Sequence, residues 1–134
     1  KPDRDIGPYL QITKALGLDP DTQPVSCPYL GGYGGAMGPA QFIPSTWQGM
    51  ASAVSAMTGN NPPNPWDPRD AFVASGLYLR DLGADGRTFR TERKAALKYY
   101  AGGNWSLARN AFYGDQVMVI ASKYQKQIDI LQND

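Results

Sequence analysis

The chain has 134 residues, with 13 Lys and Arg against 12 Asp and Glu, no histidine and a net charge of +1. That length suits one compact domain with a real core rather than two, and the near-balance of charge argues against nucleic acid as the main partner. No apolar run approaches the length of a bilayer span, and the lack of histidine removes triads with a histidine base and the usual zinc sites.

Residues 1–4 read as a frayed lead-in. Asp5 to Leu16 places Ile6, Tyr9, Ile12, Thr13 and Leu16 at helical spacing, with Gly17 as the stop. Leu18 to Pro28 is rich in proline and polar residues and reads as loop, continued by the Gly-rich stretch Tyr29 to Pro39. Ser45-Thr46-Trp47-Gln48 fits a capping box, with Ser45 as N-cap, for a helix over Thr46–Met57. Its apolar stripe is Trp47, Met50, Ala51, Val54 and Met57. Asn60 to Pro65 holds three prolines and must be a connection. Asp67 makes a good N-cap and Pro68 a good first residue for a helix running to about Leu82. That helix is apolar on most sides and is expected to be the central buried one. A fourth helix is expected over Thr91–Ala101 with Thr91 as its cap, then a helical turn within Trp105–Phe112. Asp115 opens the last helix, in which Val117, Ile120, Ala121, Tyr124, Ile128 and Leu131 recur at steps of three and four. The expectation is an all-α domain of about five helices with long loops.

The most informative stretch for function is Gly35 to Trp47. Its small residues surround one amide side chain, Gln41, whose acceptor and two donors suit a hydroxyl or acetamido group. Gly35 and Gly38 would let a ligand approach the backbone closely. The plainer alternative is a Gly-rich turn with Gln41 simply solvated. Gly31–Gly38 has no strand before it, so phosphate cradling is a poor reading, and no carboxylate cluster has calcium spacing. Arg87, Arg90, Arg93, Lys94 and Lys98 fall within twelve residues, as a solvated face or as a patch for anionic wall polymers. Cys27 is the one cysteine and pairs with nothing inside the chain; a partner in upstream sequence is one explanation, a buried thiol another.

Four motifs carry a family resemblance. Gly35–Trp47 resembles the glutamine-bearing loop of lytic transglycosylases, in particular the membrane-bound lytic transglycosylase B type. Asn64-Pro65-Trp66-Asp67-Pro68-Arg69-Asp70-Ala71 is similar to that family's "N-x-W-D-P-x-D-A" helix start. Tyr99-Tyr100-Ala101-Gly102-Gly103 resembles the "Y-N-A-G" element of the wider superfamily, with Tyr100 in place of the asparagine. Tyr113-Gly114-Asp115 and the helix after it resemble the family's tail. The four occur in order between residue 33 and about residue 128.

The resemblance implies a lysozyme-like helical fold and action on peptidoglycan in the periplasm or at the cell wall, after export. Such enzymes cleave the β-1,4 bond between N-acetylmuramic acid and N-acetylglucosamine without a cofactor. One glutamate protonates the leaving oxygen, then acts as base while the muramic 6-hydroxyl closes a 1,6-anhydro ring. By the same resemblance Gln41 contacts the sugar, Met37 and Phe42 wall the groove, and Tyr99 lies near the catalytic carboxyl. Tyr33 and Trp66 are candidate stacking platforms, with core or loop packing as the alternative.

The acid itself is a problem. Glu92 is the only glutamate, and it follows Thr91 at a helix start between Arg90 and Arg93. That setting favours the charged carboxylate, the wrong direction for a general acid. The family's glutamate lies in an "E-S" motif well before the glutamine loop, where this chain has no glutamate. The chain also opens on Lys1 rather than Met. The expectation is therefore a C-terminal piece, incomplete at its N-terminus, that binds glycan and holds no catalytic residue, its acid lying upstream. A piece with its groove face uncovered could dimerise through it. The alternatives are a non-catalytic wall-binding module and a complete small hydrolase with an aspartate acid.

Overall fold

The computed structural model describes residues 1–28 and 32–133; Tyr29, Leu30 and Gly31 of the Gly-rich loop lie outside the described residues, as does Asp134. Five α-helices run in order: α1 (Pro2–Leu16), α2 (Pro44–Thr58), α3 (Pro68–Asp81), α4 (Phe89–Ala101) and α5 (Ala111–Gln132). Among the described residues the extended backbone amounts to two isolated bridges, Val25 with Met37 and Met37 with Phe42. The all-α expectation holds. The chain divides into two compact units, residues 1–77 and residues 78–134, the division falling within α3.

In the first unit α1 packs on α2. Helix α1 begins at Pro2, three residues before the expected start, because a proline at the first helical position loses no hydrogen bond there. Gly17 ends it in the left-handed region at φ 67°. Helix α2 begins at Pro44 with Ile43 at the cap position, so the expected Ser45–Gln48 capping box does not form. Asp5 of α1 takes over that role. Its Oδ1 accepts from the backbone N of Ser45 at 3.2 Å and from the Ser45 hydroxyl at 2.7 Å. Gln48 instead donates to Gln11 Oε1 at 2.7 Å. Two polar pairs thus tie α1 to α2, around a core of Ile12, Thr13, Trp47, Met50 and Val54.

Asp67 caps α3 as expected, its Oδ1 accepting from the backbone N of Arg69 and Asp70 at 2.9 and 3.1 Å. Helix α3 is not buried on most sides: Asp70, Ala71 and Ala74 are buried while Phe72 is exposed. Small side chains pack there, and Val73, Leu77, Tyr78 and Leu79 are half-buried.

In the second unit α4 packs on α5. Thr88, not Thr91, is the cap of α4; the two threonines cap each other reciprocally, so the helix starts at Phe89, two residues earlier than expected. Ala95, Ala96 and Leu97 face inward. Helix α5 starts at Ala111, four residues before Asp115, and carries Gly114 inside it. The reason is steric: a Cβ on Gly114 would stand 2.8 Å from Leu97 Cγ, so the glycine lets the two helices close up. Beyond residue 118 every described residue of α5 is exposed.

Candidate functional site

The glutamine loop is a tight hairpin. The backbone N of Met37 donates to the Phe42 carbonyl at 2.9 Å, closing a loop of Gly38, Pro39, Ala40 and Gln41. Ahead of it, Gly35 N donates to the Ser26 carbonyl at 2.8 Å and Ser26 N to the Ala36 carbonyl at 2.9 Å. The Ser26 hydroxyl accepts from Ala36 N at 3.0 Å. The segment entering the loop is therefore stitched to residues 25–26.

Gln41 sits in the left-handed region at φ 57°, which a residue with a Cβ rarely adopts. Its backbone N donates to the Gly38 carbonyl at 3.2 Å, and its side-chain Nε2 donates to the same oxygen at 2.9 Å. The amide plane is thereby held from behind. Gln41 is exposed, so Oε1 and the second N–H of its amide face solvent as one acceptor beside one donor.

Two expectations for this loop are corrected. Met37 is fully buried and Phe42 is 3 % exposed, so neither walls a groove. They form the floor under the loop, Phe42 edge-on to Trp47 at 5.7 Å. Gly38 does not open the backbone to a ligand either: a Cβ there would stand 1.8 Å from the Pro65 carbonyl oxygen. The protein's own chain occupies that space.

The Pro65 segment is itself fixed by a buried carboxylate. Asp70 is wholly buried and accepts from Asn60 Nδ2 at 2.9 and 3.1 Å and from Asn64 N at 2.8 Å. Asn64 Oδ1 accepts from Trp66 N at 2.9 Å. Trp66 Nε1 donates to the Pro24 carbonyl at 2.8 Å, and its ring meets Tyr9 edge-on at 6.4 Å. Trp66 is thus a tie between loops rather than a stacking platform. Sequence analysis gave Asp70 no role beyond its place in the Asn64–Ala71 motif. What it missed is the relay from Asp70 through Asn64 and Pro65 to Gly38 and the turn holding Gln41.

Tyr33 is 66 % exposed. It lines a cleft of about 420 Å³ together with Ile6, Tyr9, Val25 and the backbone of residues 32–35. Gln41 is not among the residues lining it. Asp5 borders the cleft as well. Burial works to raise its carboxyl pKa; hydrogen bonds from Arg4, the amino group of Lys1 and Ser45 outweigh that and hold it well below the usual carboxylate range. It stays ionised, which unfits it for general-acid work at neutral pH.

Tyr99 belongs to the second unit, where its ring packs edge-on against Tyr78 at 5.4 Å. Tyr100, at the position of the family's asparagine, stacks on Tyr113 at 4.4 Å and touches Phe112 at 5.8 Å. Burial, and then the neighbouring Tyr100 hydroxyl, push the Tyr113 phenol above its ordinary pKa. Glu92 lies in the first turn of α4 and borders a depression of about 1110 Å³ with Phe89, Asp115 and Met118. Asp115 accepts from Arg93 Nε at 2.6 Å, which holds its carboxyl below the usual range. Cys27 is exposed and unpaired.

Among the described residues, no three His, Cys, Asp or Glu are grouped to hold a metal, and no helix is long and apolar enough to cross a membrane. No protein-family model matches the chain, and neither a curated protein nor a solved structure matches it.

Proposed function

We propose that this chain is the glycan-binding part of a peptidoglycan lytic transglycosylase, exported to the cell wall, and that Gln41 contacts an N-acetylated sugar of the strand. The observation that carries the reading is the state of Gln41: an exposed amide on a left-handed residue, clipped to Gly38 and underpinned by buried Met37 and Phe42. A solvated turn residue needs no such support. The four ordered motifs supply the substrate class. Tyr33, exposed on the neighbouring cleft, supplies a flat ring for a sugar face. In the parent enzyme the glutamate acid would protonate the glycosidic oxygen, and the muramic 6-hydroxyl would close the anhydro ring.

A second reading, a wall-binding module without chemistry, is favoured by one observation. The two buried carboxylates, Asp5 and Asp70, are both engaged as hydrogen-bond acceptors inside the fold. Under either reading these 134 residues bind glycan and do not cleave it.

Calorimetric titration of the chain with soluble peptidoglycan glycan oligomers tests the proposal. Binding is expected, with Gln41→Ala about tenfold weaker, the effect of losing one or two hydrogen bonds of ordinary strength. No binding at millimolar glycan would overturn it. Release of anhydro-muropeptides by the isolated chain would overturn the assignment of binding alone and return Glu92 to consideration.

A further inference from the structure

Helix α4 separates its charges by face. Arg90, Lys94 and Lys98 recur every four residues, which places them in one row. The row is about 12 Å long at the α-helical rise. Arg93 and Glu92 lie off it, and Arg93 is taken up by Asp115 on α5. The other ion pairs among the described residues are Lys1–Asp5, Arg4–Asp5 and Arg80–Asp81, so no carboxylate neutralises the row. Arg90 and Lys94 are exposed and Lys98 is half-buried. Like charges four residues apart destabilise a helix, a cost offset only in part, at Lys98, by the C-terminal end of the helix. Lys94 is additionally held in place, its Nζ 5.0 Å over the ring of Trp105.

We infer that this row binds a linear phosphodiester chain of the polyol-phosphate type borne by cell walls. The choice of a wall polymer rests on the peptidoglycan reading; the row itself is separate from the Gln41 loop. The spacing fits. Successive cations stand about 6 Å apart along the helix axis, and a six-bond phosphate-to-phosphate repeat extends about 7 Å, as two peptide residues do. Single-stranded nucleic acid shares that repeat and is therefore the competing arm of the test, although the net charge of +1 falls short of what nucleic-acid domains carry.

The test is binding of the 134-residue chain to purified poly(glycerol phosphate) across a salt series, beside a twelve-nucleotide oligo-dT. Neutralising three phosphates predicts a log-log salt slope near −2, at ~0.7 per contact. R90Q/K94Q/K98Q should bind at least about tenfold more weakly with a slope near zero, while K123Q/K126Q on α5 stays within roughly twofold of the parent. Circular dichroism checks that each variant is folded, and the salt slope of the unaltered chain is informative even if one is not. Gln41→Ala should leave this binding unchanged, so a failed glycan titration speaks only against the glutamine loop. A slope near zero, an unchanged triple variant, or oligo-dT binding as tight as the polyol phosphate would overturn the inference.

Discussion

In residues 1–77 the wholly buried side chains include large and polar ones, Trp47, Met37, Val54, Thr13, Asp70 and Pro65, beside the small Ala71 and Ala74. In residues 78–134 the buried apolar side chains are Ala95, Ala96 and Leu97, and the far half of α5 has no buried residue. The first region spends much of its chain in loops and holds them with carboxylates that accept backbone and side-chain hydrogen bonds. The second region holds helix to helix through small side chains. The contrast teaches where a rigid binding loop is to be sought. A loop keeps one conformation when its orphan backbone groups find buried partners, and the Gln41 loop has them.

Trp47→Ala, at 1 % exposure, should cost ~3–5 kcal/mol of unfolding free energy in urea. A loss below 1 kcal/mol would mean the first region lacks the core described. Asp70→Ala should cost ~1–3 kcal/mol by leaving the donors of Asn60 and Asn64 without their acceptor. It should also broaden the backbone amide resonances of Gly38, Ala40 and Gln41, whereas a loop independent of the relay would keep sharp ones. Gly114→Ala should cost ~1–3 kcal/mol by forcing Leu97 aside, and its effect should be confined to α4 and α5 amides.

The smallest effect is a pH dependence. The folded carboxyl of Asp5 titrates below its unfolded value. Its contribution is therefore present above the unfolded pKa of about 4 and is lost as pH falls toward the folded pKa. Thermal unfolding should show the chain more stable than Asp5→Asn at pH 7, with the gap shrinking below about pH 4. A gap that widens on acidification would contradict the assignment.

Much of the fold was legible because α3 and α5 announce themselves locally, by Asp67-Pro68 and by a stripe from Val117 to Leu131. The boundaries that slipped did so for tertiary reasons. Ser45 looks like a cap in sequence, yet a carboxylate forty residues earlier caps α2 instead. Gly114 looks like a break, yet it is the point where α5 must come close to Leu97. The place of Gln41 on an exposed loop was legible from the small residues around it. The roles of Met37, Phe42 and Gly38 were not, because whether an apolar or small residue faces a ligand or the protein's own chain depends on distant contacts, as Gly38 shows against Pro65, more than twenty residues away.

The most direct test of the Gln41 loop as a sugar contact is amide and side-chain NMR of the chain titrated with a peptidoglycan glycan oligomer. The account predicts the largest shifts at the Gln41 side-chain amide and the backbone of residues 38–41, then at Tyr33, with α5 beyond residue 118 unmoved. Shifts that spare Gln41 and gather on another surface would contradict it.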